Sequence, residues 1–335
     1  MNDRLSELWQ RGTDYLGTQY AILGGAMSWV SERSLVASIS NAGGFGVLAC
    51  GGMTPAQLSA EIDATRALTD KPFGVNLITL HPALHSLIAV CAEKKVKHMV
   101  LAGGLPSGTA IAEIKAFGAK LMCFAPTVTL AKKLVRSGAD ALVIEGMEAG
   151  GHIGPVSTSV LAQEILPIVR DVPIFVAGGL GRGEAIAACL EMGAAGAQLG
   201  TRFVVAEECI AHEKFKNAFI SAKARDAVAS VQFDPKFPVI PVRALKNVGT
   251  EEFMETQRNI VAAFKAGEIG QHAGQMQIEQ YWGGALRRAV IDGDVESGSL
   301  MAGQSVGMVK KVEPMADIID ELVDQARRYL NRNNS

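Results

Sequence analysis

Residues 139–154 read Ala139-Asp140-Ala141-Leu142-Val143-Ile144-Glu145-Gly146-Met147-Glu148-Ala149-Gly150-Gly151-His152-Ile153-Gly154. The first half is apolar, turns β-branched and has no helical period, which marks a short strand buried on both faces. It stops at Glu145. Four glycines and one histidine follow. Glycine takes positive φ and lets a backbone approach a ligand closely. A loop of this kind, at the carboxyl end of a buried strand, is where α/β proteins place their chemistry. A tight turn with an exposed histidine is the plainer reading, and the rest of the chain weighs against it.

Outward from this stretch, strand and helix patterns alternate from residue 20 to about residue 205. Short apolar strands are expected at 20–23, 45–49, 73–78, 96–101, 120–124, 141–145, 173–177 and 196–200. Helical patterns lie between most of them, for example 55–67, 157–169 and 183–192. Three helices run into Gly118-Ala119, Gly138-Ala139 and Gly193-Ala194, where the glycine is the expected left-handed cap. Such alternation gives a parallel sheet. Eight evenly spaced strands, with glycine-rich and polar residues gathered after them, favour a closed (β/α)8 TIM barrel over a doubly wound open sheet.

The rhythm breaks after residue 205. Helices are expected over 207–225 and 250–266, with extended or turning chain at 233–242, which holds three prolines. Residues 269–284 are rich in Gly and Gln. This region reads as an insertion, a lid over the barrel mouth, before an amphipathic helix over 316–330 completes the outer ring. The organisation is therefore a barrel core (1–205), a lid (206–300) and a barrel-closing segment (301–335), whose polar tail 331–335 is expected to fray.

Composition narrows the function. The 335 residues are 48% hydrophobic, with a net charge of -2 and only 6% aromatics, so neither a basic field nor base-stacking surfaces point to nucleic acid. No run approaches the roughly 18 apolar residues of a membrane helix, and residues 1–7 carry no apolar signal core. Five scattered cysteines form no CxxC pair or zinc spacing, which suits thiols in the core and a reducing cytoplasm.

The firmest chemical signal is for a phosphate. Gly178-Gly179 ends the seventh strand and Gly200-Thr201 the eighth, and barrels frequently bind phosphate in these two loops. Their backbone N–H groups can face an anion, and Thr201 can donate its hydroxyl. A dinucleotide fingerprint fails at 178–183, because the third glycine falls on Glu184. Glu148 and His152 have a metal-ligand spacing, but two glycines between them rule out the helix it needs, so no metal is expected. No GxSxG is present. What remains is a phosphate-bearing cofactor and His152 as acid or hydrogen-bond donor. Asn76 ends the third strand, as ligand contact or turn residue. Glu145 ends the sixth, as a contact to a cofactor hydroxyl or a loop cap. Gly24 to Met27 could lie along a flat ring. His85, His98, His212 and His272 read as surface or lid residues. Lys214, Lys216, Lys223 and Arg225 read as one solvated helix face, which an acidic partner could also use.

Together these stretches resemble the nitronate monooxygenase superfamily of FMN-binding barrels, including its flavin-dependent enoyl-acyl-carrier-protein reductases. The likeness spans about 20–325 and rests on 24–30, 40–46, 71–76, 145–154, 177–180, 200–203 and 301–304. It implies FMN, with phosphate at Gly178, Gly179, Gly200 and Thr201, and Gly25, Ala26 and Met27 along the ring. Asn76, Glu145, Gly151, Met301 and Gln304 complete the cofactor set, and His152 matches the catalytic histidine. Within the superfamily, 145–154, 242–247 and 292–295 look more like the reductases. That implies NADH or NADPH as reductant and a small or acyl-carrier-protein-linked enoyl thioester, in a cytoplasmic protein that could form a homodimer. Nitronate oxidation with O2 is the alternative, and a flavin-binding protein without turnover is the third. Leu23 departs from the family pattern, which carries Gln before the double glycine.

Overall fold

The computed structural model describes residues 3–234 and 236–332. Nine strands precede the lid: β1 (Ile22–Gly24), β2 (Gly46–Ala49), β3 (Phe73–Ile78), β4 (His98–Ala102), β5 (Lys120–Phe124), β6 (Ala141–Glu145), β7 (Gly151–His152), β8 (Ile174–Ala177) and β9 (Gly196–Leu199). All but β7 form one parallel sheet, ordered β1-β9-β8-β6-β5-β4-β3-β2. It closes through Gly24 N–H to Phe45 O and Phe45 N–H to Ile22 O, both 2.9 Å. The chain is a (β/α)8 barrel.

The helices are α1 (Arg4–Leu8), α2 (Gln10–Leu16), α3 (Arg33–Asn41), α4 (Pro55–Leu68), α5 (Leu84–Glu93), α6 (Gly108–Ala116), α7 (Val128–Arg136), α8 (Thr158–Ile165), α9 (Gly183–Glu191), α10 (Glu213–Ser221), α11 (Val248–Lys265), α12 (Gln271–Arg287) and α13 (Met315–Arg332). Local chemistry sets their ends. Thr54 and Gln57 form a capping box at α4, with Pro55 in the first turn. Gly118, Gly138 and Gly193 all have positive φ, as the cap reading requires.

Below the barrel, α2 acts as a plug. Tyr15 packs edge-on against His98, whose Nε2 lies 2.9 Å from Tyr15 O. His98 is therefore a buried floor residue, contrary to the surface or lid role expected of it, and burial holds its pKa below the usual value. The predicted helix over 207–225 is shorter, confined to α10, because Phe215 and Phe219 are the residues that dock it on the barrel core. Lys216 leaves the solvated face expected of it: it is buried and donates to Ala206 O at 2.6 Å. Asn331 and Arg332 continue α13, while residues 333–335 lie outside the described ones.

Within the region expected to form a lid, residues 237–282 build a separate small core. Strands β10 (Ala227–Ala229) and β11 (Val242–Leu245) pair antiparallel, and β11 pairs with β7. Helices α11 and α12 cover one face, and Phe237, Val242, Phe253, Ile278 and Trp282 pack together there. All five cysteines are free and four are buried. Among the described residues no helix is long and apolar enough to cross a membrane.

Two ion pairs from one arginine tie the C-terminal segment to the barrel. Arg202 is buried and reaches Glu313 and Glu321, both at 2.7 Å. Removing one partner of a buried pair strands the other charge, at a cost of about 3–5 kcal/mol. Glu313 keeps Lys311 at 2.9 Å, so Arg202→Ala is expected at the lower end, about 3 kcal/mol, read as a fall in the urea midpoint with unchanged slope. A change below about 0.5 kcal/mol would remove the pair from the stability account.

Candidate active site

The loops after β6, β8 and β9 and residues 301–304 meet at the carboxyl end of the barrel. Gly150 lies so close to 302–303 that an added Cβ would meet Gly303 N at 2.6 Å. Gln304 N donates to Glu148 O and Gly303 N to Thr201 Oγ1, both at 2.9 Å. Gly178 and Gly179 have φ of 94° and 73°, a region L side chains enter only with strain. These contacts bring the sequence-predicted Thr201 and Gln304 together around Glu148, against which Gly179 also lies, an added Cβ there meeting Glu148 Cβ at 3.0 Å.

The anion test is whether these loops keep donors free. Among the described residues, the N–H groups of Gly178, Gly179, Leu180, Gly200 and Thr201 have no protein acceptor. Backbone donors left unpaired in a glycine-lined turn suit a phosphate. The N-terminus of α8, by contrast, is already satisfied: Glu148 Oε2 accepts from Thr158 N at 2.9 Å and from Thr158 Oγ1 at 3.0 Å. The free backbone donors thus lie in the loops after β8 and β9, and not at that helix.

The wall facing them is built by strand parity. Ala177 is paired with Glu145 and with Gln198, and Gln198 with Leu23. Leu23, Gln198 and Glu145 therefore share the inner face of the barrel. Gln198 is buried, has no protein partner for its amide among the described residues, and lies against Gly25, whose added Cβ would meet its Nε2 at 3.3 Å. It stands beside Leu23, the position where the resemblance led to an expected Gln, on the neighbouring strand. The sequence reading overlooked it, although its place two residues before Gly200 signals an inward side chain. Met27 Sδ covers Gly200, at 3.3 Å from an added Cβ. Asn76 is also buried and donates to Val100 O at 3.2 Å.

Glu145 has no partner among the described residues, and burial pushes its pKa up to about 8. The folded chain then holds a proton that the unfolded chain has lost, so flavin-free protein loses stability as pH rises from about 4.5 to about 8. Glu145→Gln should flatten that slope in urea midpoints measured across this range. Equal slopes in the two proteins would place the titration elsewhere.

His152 is held differently. Gly151 and His152 pair with Arg243 and Val242, so His152 shares a lid-sheet face with Val242, the face turned to α12. Its Nε2 is 3.2 Å from Glu279 Oε1, and its side chain is 42% exposed. The histidine stands at the lid edge of the site, with α12 supplying a carboxylate that the sequence reading did not name. Gly151 links it to the rest, since an added Cβ would meet Met301 Sδ at 3.6 Å. Arg243, on the opposite face, pins lid to barrel through Met147 O at 3.0 Å and, within the lid, donates to Ala227 O at 2.6 Å. Among the described residues no cluster of His, Cys, Asp or Glu could hold a metal.

A (β/α)8 barrel whose last two strands end in glycine loops with free N–H groups, with a polar inner wall and a histidine on a strand paired to the small antiparallel sheet, frames a candidate cofactor site. The pattern of the nitronate monooxygenase family matches residues 10–89 and 83–325, and the chain belongs to that family. Its relatives include a (3aS,4S,5R,7aS)-5-hydroxy-7a-methyl-1-oxo-octahydro-1H-indene-4-carboxyl-CoA dehydrogenase of Rhodococcus jostii, 33% identical over 95% of this chain and 96% of the relative. A Staphylococcus aureus protein named "Probable nitronate monooxygenase" is 28% identical over 96% of this chain and 99% of its own. Among solved structures, FabK from Thermotoga maritima superposes with a TM-score of 0.85 at 34% identity, covering 100% of this chain and 99% of that one. Family and neighbours make the protein a flavin oxidoreductase.

Proposed function

We propose that the protein is an FMN-dependent reductase that passes a hydride from NADH or NADPH to the enoyl bond of an acyl thioester carried on acyl carrier protein or coenzyme A. Bound flavin would carry the electron pair from the nicotinamide to the β-carbon. The chain's own part is to hold, orient and protonate. Backbone N–H groups of 178–180 and 200–201 would hold the phosphate, with Gly25, Ala26, Met27 and Gln198 along the ring. His152 would donate a hydrogen bond or proton at the thioester carbonyl side, oriented by Glu279. The lid would keep water from the reacting atoms.

The observation that carries this reading is the lid sheet, which sets His152 on the same face as the apolar Val242 and Ala244. An acyl group needs such a wall, and a small nitronate does not. The full-length likeness to a CoA-thioester dehydrogenase and to FabK supports it. Oxidation of an alkyl nitronate with O2 is the second reading, favoured by the Glu279 carboxylate beside His152, which suits a proton acceptor. The test is anaerobic rapid mixing of the flavin-loaded protein with NADH or NADPH, after mass identification of the released flavin as FMN. Bleaching of the flavin absorbance faster than turnover supports the reductase. No bleaching with either nucleotide favours the nitronate reading.

A further inference from the structure

We propose that the cavity enclosed by α11, α12 and the lid sheet receives the apolar acyl group of the substrate. This rests on the acyl-thioester reading above. The cavity measures about 340 Å³, and the apolar part of its wall is Val228, Val242, Ala244, Phe253, Met254 and Trp282, with Ser230, Lys246, Thr250 and Glu251 lining the rest. Pockets for small ligands span roughly 300–1,000 Å³, so this one takes a single acyl group and leaves its carrier outside.

Continuity with the reaction site names the occupant. Val242 is paired with His152, and Val228 with Ala244. Directly paired residues of antiparallel strands set their side chains on one face, with Cβ atoms roughly 4.5–5.5 Å apart. The cavity wall therefore begins at the residue next to the imidazole. Met301, which approaches Gly151 beneath the lid, also packs against this lid core. At the opening, Val231 is 55% exposed, beside the exposed ion pair of Lys246 and Glu251, which also lines the cavity.

Two substitutions separate filling from folding. Ala244→Trp fills the cavity, and Val231→Lys charges its exposed mouth without touching the buried core. The flavin-loaded proteins are titrated calorimetrically with decanoyl-CoA and acetyl-CoA, and kcat/KM is measured with 2-decenoyl-CoA and crotonyl-CoA. Wild type should bind the decanoyl ester more tightly, and each variant should lose at least about tenfold of that preference, with the same fall in the kcat/KM ratio. An unchanged preference in both variants overturns the proposal. So does a change from dimer to monomer in Val231→Lys with the preference intact, which would make this face an interface between copies. If neither enoyl ester turns over but decanoyl binding is still lost in the variants, the cavity assignment holds and the reaction assigned above falls. Turnover with unaltered chain-length preference keeps the reaction and removes the cavity assignment.

Discussion

His152→Ala keeps its flavin and its fold and turns over roughly 10²–10⁴-fold more slowly, the usual worth of a positioned acid–base group. The retained fold follows from the side chain's position. It is 42% exposed on a two-residue strand, and its one polar partner is the exposed Glu279. Little packing is lost on truncation, and the flavin contacts assigned to the barrel loops are untouched. The deficit should be confined to the step that uses substrate. Anaerobic bleaching of the flavin by NAD(P)H should change much less than the subsequent oxidation by the enoyl thioester. Flavin content, single-turnover reduction and steady-state rate on the same preparation separate the possibilities. Wild-type turnover would take the histidine out of the mechanism, and loss of flavin would reassign it to cofactor binding.

Gly179→Asp purifies without flavin. Two effects act on the same spot. The φ of 73° at Gly179 costs an L residue about 1–2 kcal/mol, and an added Cβ would meet Glu148 Cβ at 3.0 Å. The new carboxylate also adds a negative charge beside the N–H groups assigned to the phosphate, where like charges repel. Gly179→Ala carries the strain and the contact but no charge. Its flavin occupancy should therefore fall between wild type and Gly179→Asp. Absorbance ratios and circular dichroism on all three proteins give occupancy and fold. A yellow, fully loaded Gly179→Asp protein would put the phosphate elsewhere.

The barrel was legible because its strands are buried on both faces, which leaves continuous apolar runs between glycine caps. The strands read as 73–78, 120–124 and 141–145 have the same limits in the structure. The first was read as 20–23 and instead runs to Gly24, because that glycine pairs with Leu199 on β9. The lid was harder. Helix α12 carries Gly274, Gly283 and Gly284, which hide a helical pattern that packing against α11 stabilises. Strand β7 is two residues long and exists only because β11 runs beside it, so no local signal announces it. The same holds for Glu279 and Gln198. Glu279 meets His152 across 127 positions of sequence. Gln198 is polar in an otherwise apolar strand, but only the register shows that it stands beside Leu23. By contrast, Gly178, Gly179, Gly200 and Thr201 lie at strand ends, where the sequence placed them, since a strand end needs no distant partner to be read.

The central claim, that the electrons end on an acyl thioester, has a direct test. The flavin-loaded protein is reduced with NADPH without oxygen and mixed with crotonyl-CoA in a rapid-mixing spectrophotometer. The account predicts that the oxidised-flavin absorbance returns at a rate no slower than turnover, with one butyryl-CoA formed per flavin. It would be contradicted by a flavin that stays reduced with the thioester and regains its absorbance only when oxygen is admitted.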